Sequence, residues 1–284
     1  MIRAAQSETK LRTLLVGGVL PASQCGQAFL KLVAPLLAGG VIAWQRSGAG
    51  RQLAVNDAEA LNDFCRQQYP GADLPLNTGN RIVGVGRFRD SKALANNEDE
   101  IVSVRVWRDE ALLKNGKPVG AATATATHGV FSFLLARGCY ELRGLTALVE
   151  SPVVFVAAEQ LNLSVGLMVY GHGRISNRAV DWMARMTDSS FGLLHLPDYD
   201  PVGLSEFQRL HARLGKRVVL HLPADLETRF AKFSKRALLE KSNSQAMLAQ
   251  LRRSDLPAIR RVVELIDRYN AGLEQEALLI KLPL

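Results

Sequence analysis

Apolar positions in the second half of the chain fall into short runs separated by amphipathic stretches. The runs predicted as strands are residues 153–157, 165–170, 191–196 and 218–222. Amphipathic stretches at residues 178–186 and 204–214 predict helices between them. Because strands that alternate with helices favour a mainly parallel sheet with crossover helices, we expect an α/β domain over residues 149–284. Its last part, residues 225–282, shows no comparable strand pattern and is predicted as a helical extension.

The first 75 residues have the pattern of helices followed by a hairpin. The predicted elements are helices at residues 10–16 and 23–37 and strands at residues 41–44 and 52–55. Ser23 is a candidate cap for the second helix, and Ser47-Gly48-Ala49-Gly50 is a candidate turn between the strands. Helix, helix and hairpin is the order of a winged-helix domain, with Arg46 and Arg51 flanking the turn where a wing reaches a phosphate backbone. The alternative is a small structural helical domain with a solvated hairpin.

Residues 76–148 are predicted as a β-rich connector between these two domains. Residues 101–107 alternate apolar and polar positions, which is the period of a half-buried strand. Asn115-Gly116 is a strong hairpin signal, and the small, Thr-rich residues 118–127 follow it. The predicted organisation is therefore three parts, with boundaries at 1–75, 76–148 and 149–284.

Acidic side chains follow two of the predicted strands. Glu159 comes after the run at residues 153–157, and Asp198 and Asp200 stand in Leu-Pro-Asp-Tyr-Asp-Pro-Val-Gly after the run at 191–196. Carboxyl ends of parallel strands meet at one edge of a sheet, and carboxylate oxygens are ligands that Mg²⁺ prefers. Glu159, Asp198 and Asp200 are therefore predicted to hold Mg²⁺ or Mn²⁺. The alternative is a turn whose aspartates only cap the following helix.

The formal net charge of +8 favours a polyanionic partner, because lysines and arginines that neutralise phosphates release condensed counterions. Charge alone leaves open whether the partner is DNA or RNA, because many basic proteins bind neither. The candidate contacts outside the predicted wing are His172, Arg174, Lys232, Lys235 and Arg236. The alternative for these residues is a polar turn or a charged, solvated helix face.

Several classes of protein are disfavoured by composition. Cys25, Cys65 and Cys139 have no paired spacing that suggests zinc ligands or a disulfide framework. No apolar run is long enough for a membrane span, and the first residues do not resemble a signal peptide, so we expect a cytoplasmic location without membrane contact. No phosphate-binding loop of the ATPase type is present, so ATP hydrolysis would have to come from a partner.

Three local features together suggest a family. They are Glu159-Gln160, the strand and glycine turn at residues 169–174, and Leu273-Glu274-Gln275-Glu276. In this order they resemble the Toprim domain shared by topoisomerases, primases and certain nucleases. Within that group the sequence is most similar to the JetD nuclease of Wadjet plasmid-defence systems, also called MksG, and more distantly to the A subunit of topoisomerase VI. The resemblance covers roughly residues 153–279.

The resemblance implies a Mg²⁺-dependent DNA endonuclease that works beside an SMC-like ATPase complex. It implies that Glu159 is a metal ligand or general base, that Asp198 and Asp200 hold metal, and that Glu276 is a further catalytic acid. The alternative for Glu274 and Glu276 is a solvated helix end. Two alternatives stay open. One is a DNA-binding or scaffold protein whose Toprim-like domain has lost its chemistry, and the other is strand transfer of the topoisomerase VI type. A homodimer is left open as well.

Overall fold

The computed structural model describes residues 3–71, 81–88 and 99–282. Contacts divide the chain into two compact units, Met1–Glu98 and Asp99–Leu284. Each unit has its own cluster of buried apolar side chains. In the described part of the chain, no helix is long and apolar enough to cross a membrane.

The first unit is built from helices around a three-stranded antiparallel sheet. Its elements are α1 (Arg3–Gly17), β1 (Val19–Pro21), a 3-10 helix (Ala22–Gln24), α2 (Gln27–Ala38), β2 (Ile42–Ser47), β3 (Gly50–Val55), α3 (Ala58–Gln68) and α4 (Arg81–Phe88). The strand order is β1-β3-β2. The core of this unit is formed by apolar side chains from the helices α1 to α4 and from the three strands. Each helix contributes its apolar face.

The hairpin predicted from the sequence is present, with small differences at its edges. In β2 and β3, Arg46 pairs with Arg51 and Ser47 with Gly50, so both arginines stand beside the turn. Ser23 does not cap α2 as predicted. It lies inside the 3-10 helix Ala22–Gln24, and the N-cap of α2 is Gly26, whose extended backbone leads into the helix.

The second unit carries the large sheet. Its strands are β4 (Ile101–Val106), β5 (Leu112–Lys114), β6 (Lys117–Pro118), β7 (Phe131–Leu134), β8 (Tyr140–Leu142), β9 (Leu145–Val149), β10 (Leu167–Tyr170), β11 (Gly192–Leu196) and β12 (Val218–Leu220). Its α-helices are α5 (Ala121–His128), α6 (Pro152–Val156), α7 (Asn177–Ala184), α8 (Pro201–Leu214), α9 (Leu226–Phe233), α10 (Ser244–Leu251) and α11 (Pro257–Tyr269). Short 3-10 helices cover Asp109–Ala111, Ala158–Leu161, Gly215–Arg217, Arg236–Leu239 and Gln275–Leu279.

Six of these strands form a mainly parallel sheet flanked by helices, in the order β12-β11-β9-β10-β4-β7, and the other three form a small antiparallel sheet in the order β6-β5-β8. Neighbours from β12 to β10 run parallel, and β4 is antiparallel to both of its neighbours. The chain passes from β9 outwards to β10 and then returns to β11 on the other side of β9. Such a reversal opens a crevice at the carboxyl ends of the strands, where open α/β sheets bind ligands.

Residues 99–148 are part of this unit and do not form a separate connector. β4 and β7 extend the six-stranded sheet, and their side chains share one buried core with β9 to β12. The hairpin predicted at Asn115-Gly116 joins β5 and β6, with both residues at positive φ. The small residues after Pro118 form α5 rather than strand, because alanines are good helix formers and Gly120 and Gly129 bound the segment.

The predicted strand at residues 153–157 is wrong. Residues Pro152–Val156 are the helix α6, whose first N–H groups are capped by the hydroxyl of Ser151. Proline is favoured at the first helical position because its missing N–H would be unpaired there anyway. The strand of this region lies earlier, at Leu145–Val149. The acidic residue that directly follows this strand is therefore Glu150 and not Glu159.

The start of α8 is closely packed against the loop that precedes it. Asp200 caps the helix by accepting from the N–H of Gly203. A Cβ on Gly203 would lie 2.1 Å from the backbone oxygen of Asp198 and 2.9 Å from Cβ of Pro197. Only glycine therefore allows this loop to turn directly into the helix.

We predict that Gly203→Ala destabilises the protein by about 1–3 kcal/mol, because the added methyl group must displace backbone. For a domain of this size each kcal/mol lowers the melting temperature by roughly 2–4 °C. Thermal unfolding measures the effect. Gly192→Ala is the control, since its nearest neighbour is the flexible end of Leu145 at 3.4 Å. Equal melting temperatures for the two variants would contradict the prediction.

Candidate functional site

Acidic side chains line a pocket at the carboxyl edge of the parallel strands. Glu150 follows β9, Gly173 lies in the turn after β10, and Asp198 follows β11. Together with Ser151 and two glutamates near the end of the chain, Glu274 and Glu276, they enclose a pocket of about 280 Å³. We call this site the acidic pocket.

Glu150 is held from the interior of the sheet. Oε1 of Glu150 lies 3.3 Å from Nε2 of His195, a fully buried side chain on β11 that stacks against Phe207 of α8. Burial lowers the pKa of His195 to about 3, so the ring is neutral and the contact is a hydrogen bond rather than an ion pair. Nδ1 of His195 finds no partner among the described residues.

The aspartates after β11 have different surroundings. Oδ1 of Asp198 accepts from the backbone N–H of Gln275, 2.8 Å away. Asp200 is fully buried, and besides capping α8 it contacts Nζ of Lys241, 3.2 Å from its Oδ2. The predicted alternative, in which an aspartate caps the helix, is thus true of Asp200. Asp198 does not cap α8, and its carboxylate instead accepts from the first N–H of the 3-10 helix Gln275–Leu279.

Residues 272–279, which we call the final segment, close the acidic pocket from the side. Tyr199 and Leu273 exchange backbone hydrogen bonds, which places the segment directly beside the aspartates. Glu276 accepts from the hydroxyl of Ser151 at 2.6 Å. The predicted further acid, Glu276, therefore lies in the same pocket as Asp198.

Basic side chains surround the acidic pocket, and each pairs with an acid. Lys235 contacts Glu274 at 3.4 Å, and Arg174 contacts Glu206 on α8 at 3.0 Å. Arg174 is 72% exposed, so its guanidinium group has free donors facing solvent. With Lys241 at Asp200, these residues form a rim of positive charge, which we call the basic rim (Arg174, Lys235 and Lys241).

The other predicted DNA contacts are exposed but lie in different places. His172 stacks near Tyr170 in the turn after β10, at positive φ. Lys232 is exposed on α9, and Arg236 contacts Glu240. Arg46 and Arg51 are exposed residues beside the hairpin turn of the first unit.

Glu159 does not belong to the acidic pocket. Its carboxylate is 55% exposed and forms two hydrogen bonds with Arg105, the shorter at 2.6 Å, and one with the indole of Trp107. These residues line a different pocket, with α5. Slight burial raises the pKa of Glu159, but hydrogen bonds and the charge of Arg105 outweigh it and hold the pKa below its usual value. The structure thus separates Glu159 from the two aspartates with which we predicted it.

Negative charge is crowded in the acidic pocket. Burial, followed by the charges of Glu206 and Asp200, raises the pKa of Glu150 to about 8, although Lys241 and Arg174 oppose the rise. Asp198 is affected in the same way. Burial, and then the charges of its acidic neighbours, raise the pKa of Asp198 to about 6, against the hydrogen bond from Gln275. A cation among these carboxylates would relieve the repulsion.

The donor chemistry of the acidic pocket suits a hard divalent cation, since it is made of carboxylates beside a hydroxyl. Within the part of the chain that the structure describes, however, no three Asp, Glu, His or Cys side chains are arranged to hold a metal ion. The oxygens are engaged instead by His195, Gln275, Lys241 and Ser151. Metal binding would therefore require carboxylates to exchange these partners.

Glu150, His195 and Gln275 were missed by sequence reasoning. One signal was present for Glu150, because Leu-Thr-Ala-Leu-Val-Glu is an apolar strand that ends in an acid. The run at residues 153–157 is richer in β-branched residues, which are typical of strands, and the strand was therefore predicted there instead. Nothing in the sequence marks His195, which lies within an apolar strand, or shows that Gln275 is buried.

A scan against models of known protein families finds no match for this chain, and a search of curated proteins finds none either. Functional interpretation therefore depends on the fold and on the site.

Removing one charge from the acidic pocket should stabilise the metal-free protein. The folded-state pKa of Glu150, about 8, lies above its unfolded value of about 4.3. The protonated carboxyl therefore contributes stability below about pH 4.3. That contribution is lost progressively as the pH rises to about 8, because the unfolded chain ionises first. We predict that Glu150→Gln in EDTA melts at a higher temperature than wild type at pH 8, and that the difference shrinks towards pH 5. Each relieved kcal/mol corresponds to roughly 2–4 °C.

The control for this measurement is Glu110→Gln, which removes an exposed glutamate of the same unit. Its melting temperature should follow wild type at both pH values. A Glu150→Gln protein that melts at or below the wild-type temperature at pH 8 would refute the charge crowding.

Proposed function

We propose that this protein is a Mg²⁺- or Mn²⁺-dependent endonuclease that hydrolyses phosphodiester bonds of double-stranded DNA. The observation that carries the proposal is the meeting of Glu150 and Asp198 in the acidic pocket, at the carboxyl edge of two adjacent parallel strands, β9 and β11. Asp200 is fully buried behind them, and its charge acts on both. Glu276 adds a fourth carboxylate from the final segment. Such a group of acids, beside exposed cations, is suited to a phosphate-bound divalent ion.

The acids after β9 and β11, and the cations of the basic rim, have proposed roles. Carboxylate oxygens of Glu150, Asp198 and Asp200 would hold a divalent ion, which supplies positive charge to the scissile phosphate and acidifies bound water. Glu150 takes the place first predicted for Glu159, as ligand or general base. Arg174 and Lys235 on the basic rim would bind non-bridging phosphate oxygens. Substrate binding would release them from their present acidic partners.

The fold supports a Toprim-type interpretation of the second unit. A glutamate after one strand, a glycine turn after the next and Asp-x-Asp after a third is the order that the resemblance implies, and here it falls on Glu150, Gly171–Gly173 and Asp198–Asp200. The same resemblance, to the JetD nuclease, is the basis for proposing an SMC-like ATPase complex as partner. In that assembly this chain would be the subunit that cuts.

The first unit is proposed to bind DNA as a winged helix. Its order of helix, strand, short 3-10 helix, helix and two-stranded hairpin matches that of the motif. Arg46 and Arg51 stand opposite each other beside the hairpin turn, both exposed. That position would allow both guanidinium groups to reach the phosphate backbone.

Two observations favour a second candidate, a DNA-binding or scaffold protein without catalysis. The described residues hold no preassembled metal group, and Nζ of Lys241 contacts Oδ2 of Asp200. Strand transfer of the topoisomerase VI type has less support. Tyr69 is buried against Phe88, with its pKa raised to about 12 by burial, and Tyr140 stacks on Phe133 in the core of the second unit.

We predict that Glu150→Gln and Asp198→Asn each reduce cleavage of a supercoiled plasmid by at least about 100-fold in Mg²⁺ or Mn²⁺. Glu159→Gln is the matched control, because it removes a glutamate of the same unit that lies in another pocket. It should cut at the wild-type rate. Gel electrophoresis of nicked and linear products measures the rates, in the presence of the ATPase complex if the protein alone is inactive.

The outcomes separate the candidates. Wild-type protein that binds DNA but never cuts it would contradict the endonuclease and favour the DNA-binding or scaffold function. Loss of cleavage in Glu159→Gln with full activity in Glu150→Gln would place the chemistry in the other pocket and refute the site proposed above.

We predict that Arg46→Ala/Arg51→Ala weakens binding to DNA duplexes of any sequence. Two phosphate contacts contribute roughly 1.8 to the slope of log K against log salt concentration, so the slope should fall by about that amount. Fluorescence anisotropy over a salt series measures it. The control Arg137→Ala/Arg143→Ala removes two exposed arginines that pair with Asp99 and Asp188 and should leave the slope unchanged. An unchanged slope in the hairpin variant would argue against a wing contact.

A further inference from the structure

We propose that Gln275 is a positioning residue, whose side-chain amide fixes the distance between the two strand ends that carry Glu150 and Asp198. This inference rests on the proposed function. It goes beyond that function because it assigns the final segment a part in setting the metal affinity of the acidic pocket.

The amide of Gln275 joins the ends of two neighbouring strands. Its Oε1 accepts from the backbone N–H of Ser151, 2.9 Å away and just after β9. Its Nε2 donates to the backbone oxygen of Leu196, the last residue of β11. Glu150 precedes the first contact by one residue, and Asp198 follows the second by two. One side chain therefore spans the gap between the two acid-bearing strand ends.

The backbone of the same residue contacts the site directly. The N–H of Gln275 donates to Oδ1 of Asp198 at 2.8 Å, which leaves the other oxygen, Oδ2, for a cation. Gln275 thus has three contacts with the acid-bearing loops. A hydrogen bond to one oxygen orients a carboxylate ligand, and loss of such supporting contacts commonly weakens metal affinity or activity by 10–100-fold.

Burial makes these contacts specific to glutamine. The side chain is 0% exposed, so no water can replace a partner that is lost. The N–H of Ser151 requires an acceptor and the backbone oxygen of Leu196 requires a donor, and the amide of Gln275 offers both from one planar group. Glutamate would retain the acceptor but lose the donor, and would add a negative charge beside Asp198.

The rest of the final segment is held independently of Gln275. Arg229 of α9 donates to the backbone oxygens of Ala277 and Ile280, and the backbone of Gly272 pairs with that of Lys235. These contacts anchor the segment without touching the acids. They make it possible to loosen the segment and to misplace the acids in separate variants.

The test measures the Mg²⁺ concentration that half-saturates the full chain, read in two ways: from half-maximal plasmid cleavage and, without DNA, from half of the rise in melting temperature that Mg²⁺ binding causes. We expect Gln275→Met to raise that concentration 10–100-fold, with KM for the plasmid at saturating Mg²⁺ near the wild-type value. Gln275→Asn keeps the amide but is one methylene shorter, so it cannot reach both strand ends and should show the same direction. It is the variant to measure where Gln275→Met does not fold, as judged by circular dichroism.

Arg229→Met is the control, since it should lower the melting temperature while leaving the Mg²⁺ requirement unchanged. An equal rise in the Mg²⁺ requirement for Arg229→Met would show a purely structural role and overturn the inference. So would a wild-type Mg²⁺ requirement in Gln275→Met or Gln275→Asn. Wild-type protein that cuts no DNA with either metal would overturn the proposed function, while the rise in melting temperature would still test this inference, so the two failures are distinguishable.

Discussion

Parallel strands that end at one edge of a sheet bring the residues after them close together, and in this protein several of those residues are acids. Glu150 and Asp198 follow adjacent strands, β9 and β11, and Asp200 is two residues further on. Burial, and then the repulsion between neighbouring acids, raises the pKa of both Glu150 and Asp198. The charges of Lys241 and Arg174 oppose the rise for Glu150. Much of what we propose about function follows from this crowding, because like charges are brought together at a cost that a bound cation would remove.

The two acid-bearing loops use the same local device. After β9 the sequence is Glu150-Ser151-Pro152, and after β11 it is Asp198-Tyr199-Asp200-Pro201. In each, a side-chain oxygen caps a helix whose first residue is proline. The cap ends the strand and starts the helix within a few residues, so the acid before it cannot move far from the sheet edge. Gly203 adds to the second loop the close backbone approach that a larger residue would prevent.

Contacts between distant parts of the chain complete the acidic pocket. Gln275 lies far along the chain from Ser151 and Leu196 and joins them across the sheet edge. Ser151 is used twice, since its hydroxyl caps α6 and also donates to Glu276. His195 holds Glu150 from inside the sheet. The pocket is thus built by the interior of the domain, and a local motif around the aspartates describes only half of it.

Sequence patterns correctly predicted the alternation of strands and helices after residue 165, the hairpins at Ser47–Gly50 and Asn115-Gly116, and the aspartates at a strand end. Each of these depends on local periodicity or on turn chemistry. Tertiary structure alone decided which glutamate joins those aspartates. The apolar run from Pro152 to Val156 has strand-like composition, yet the Ser-Pro start makes it a helix, and only the pairing of β9 between β10 and β11 places Glu150 at the edge. The burial of His195 and Gln275 was decided in the same way, because hydrogen bonds across the sheet edge depend on strand order, which local sequence does not encode.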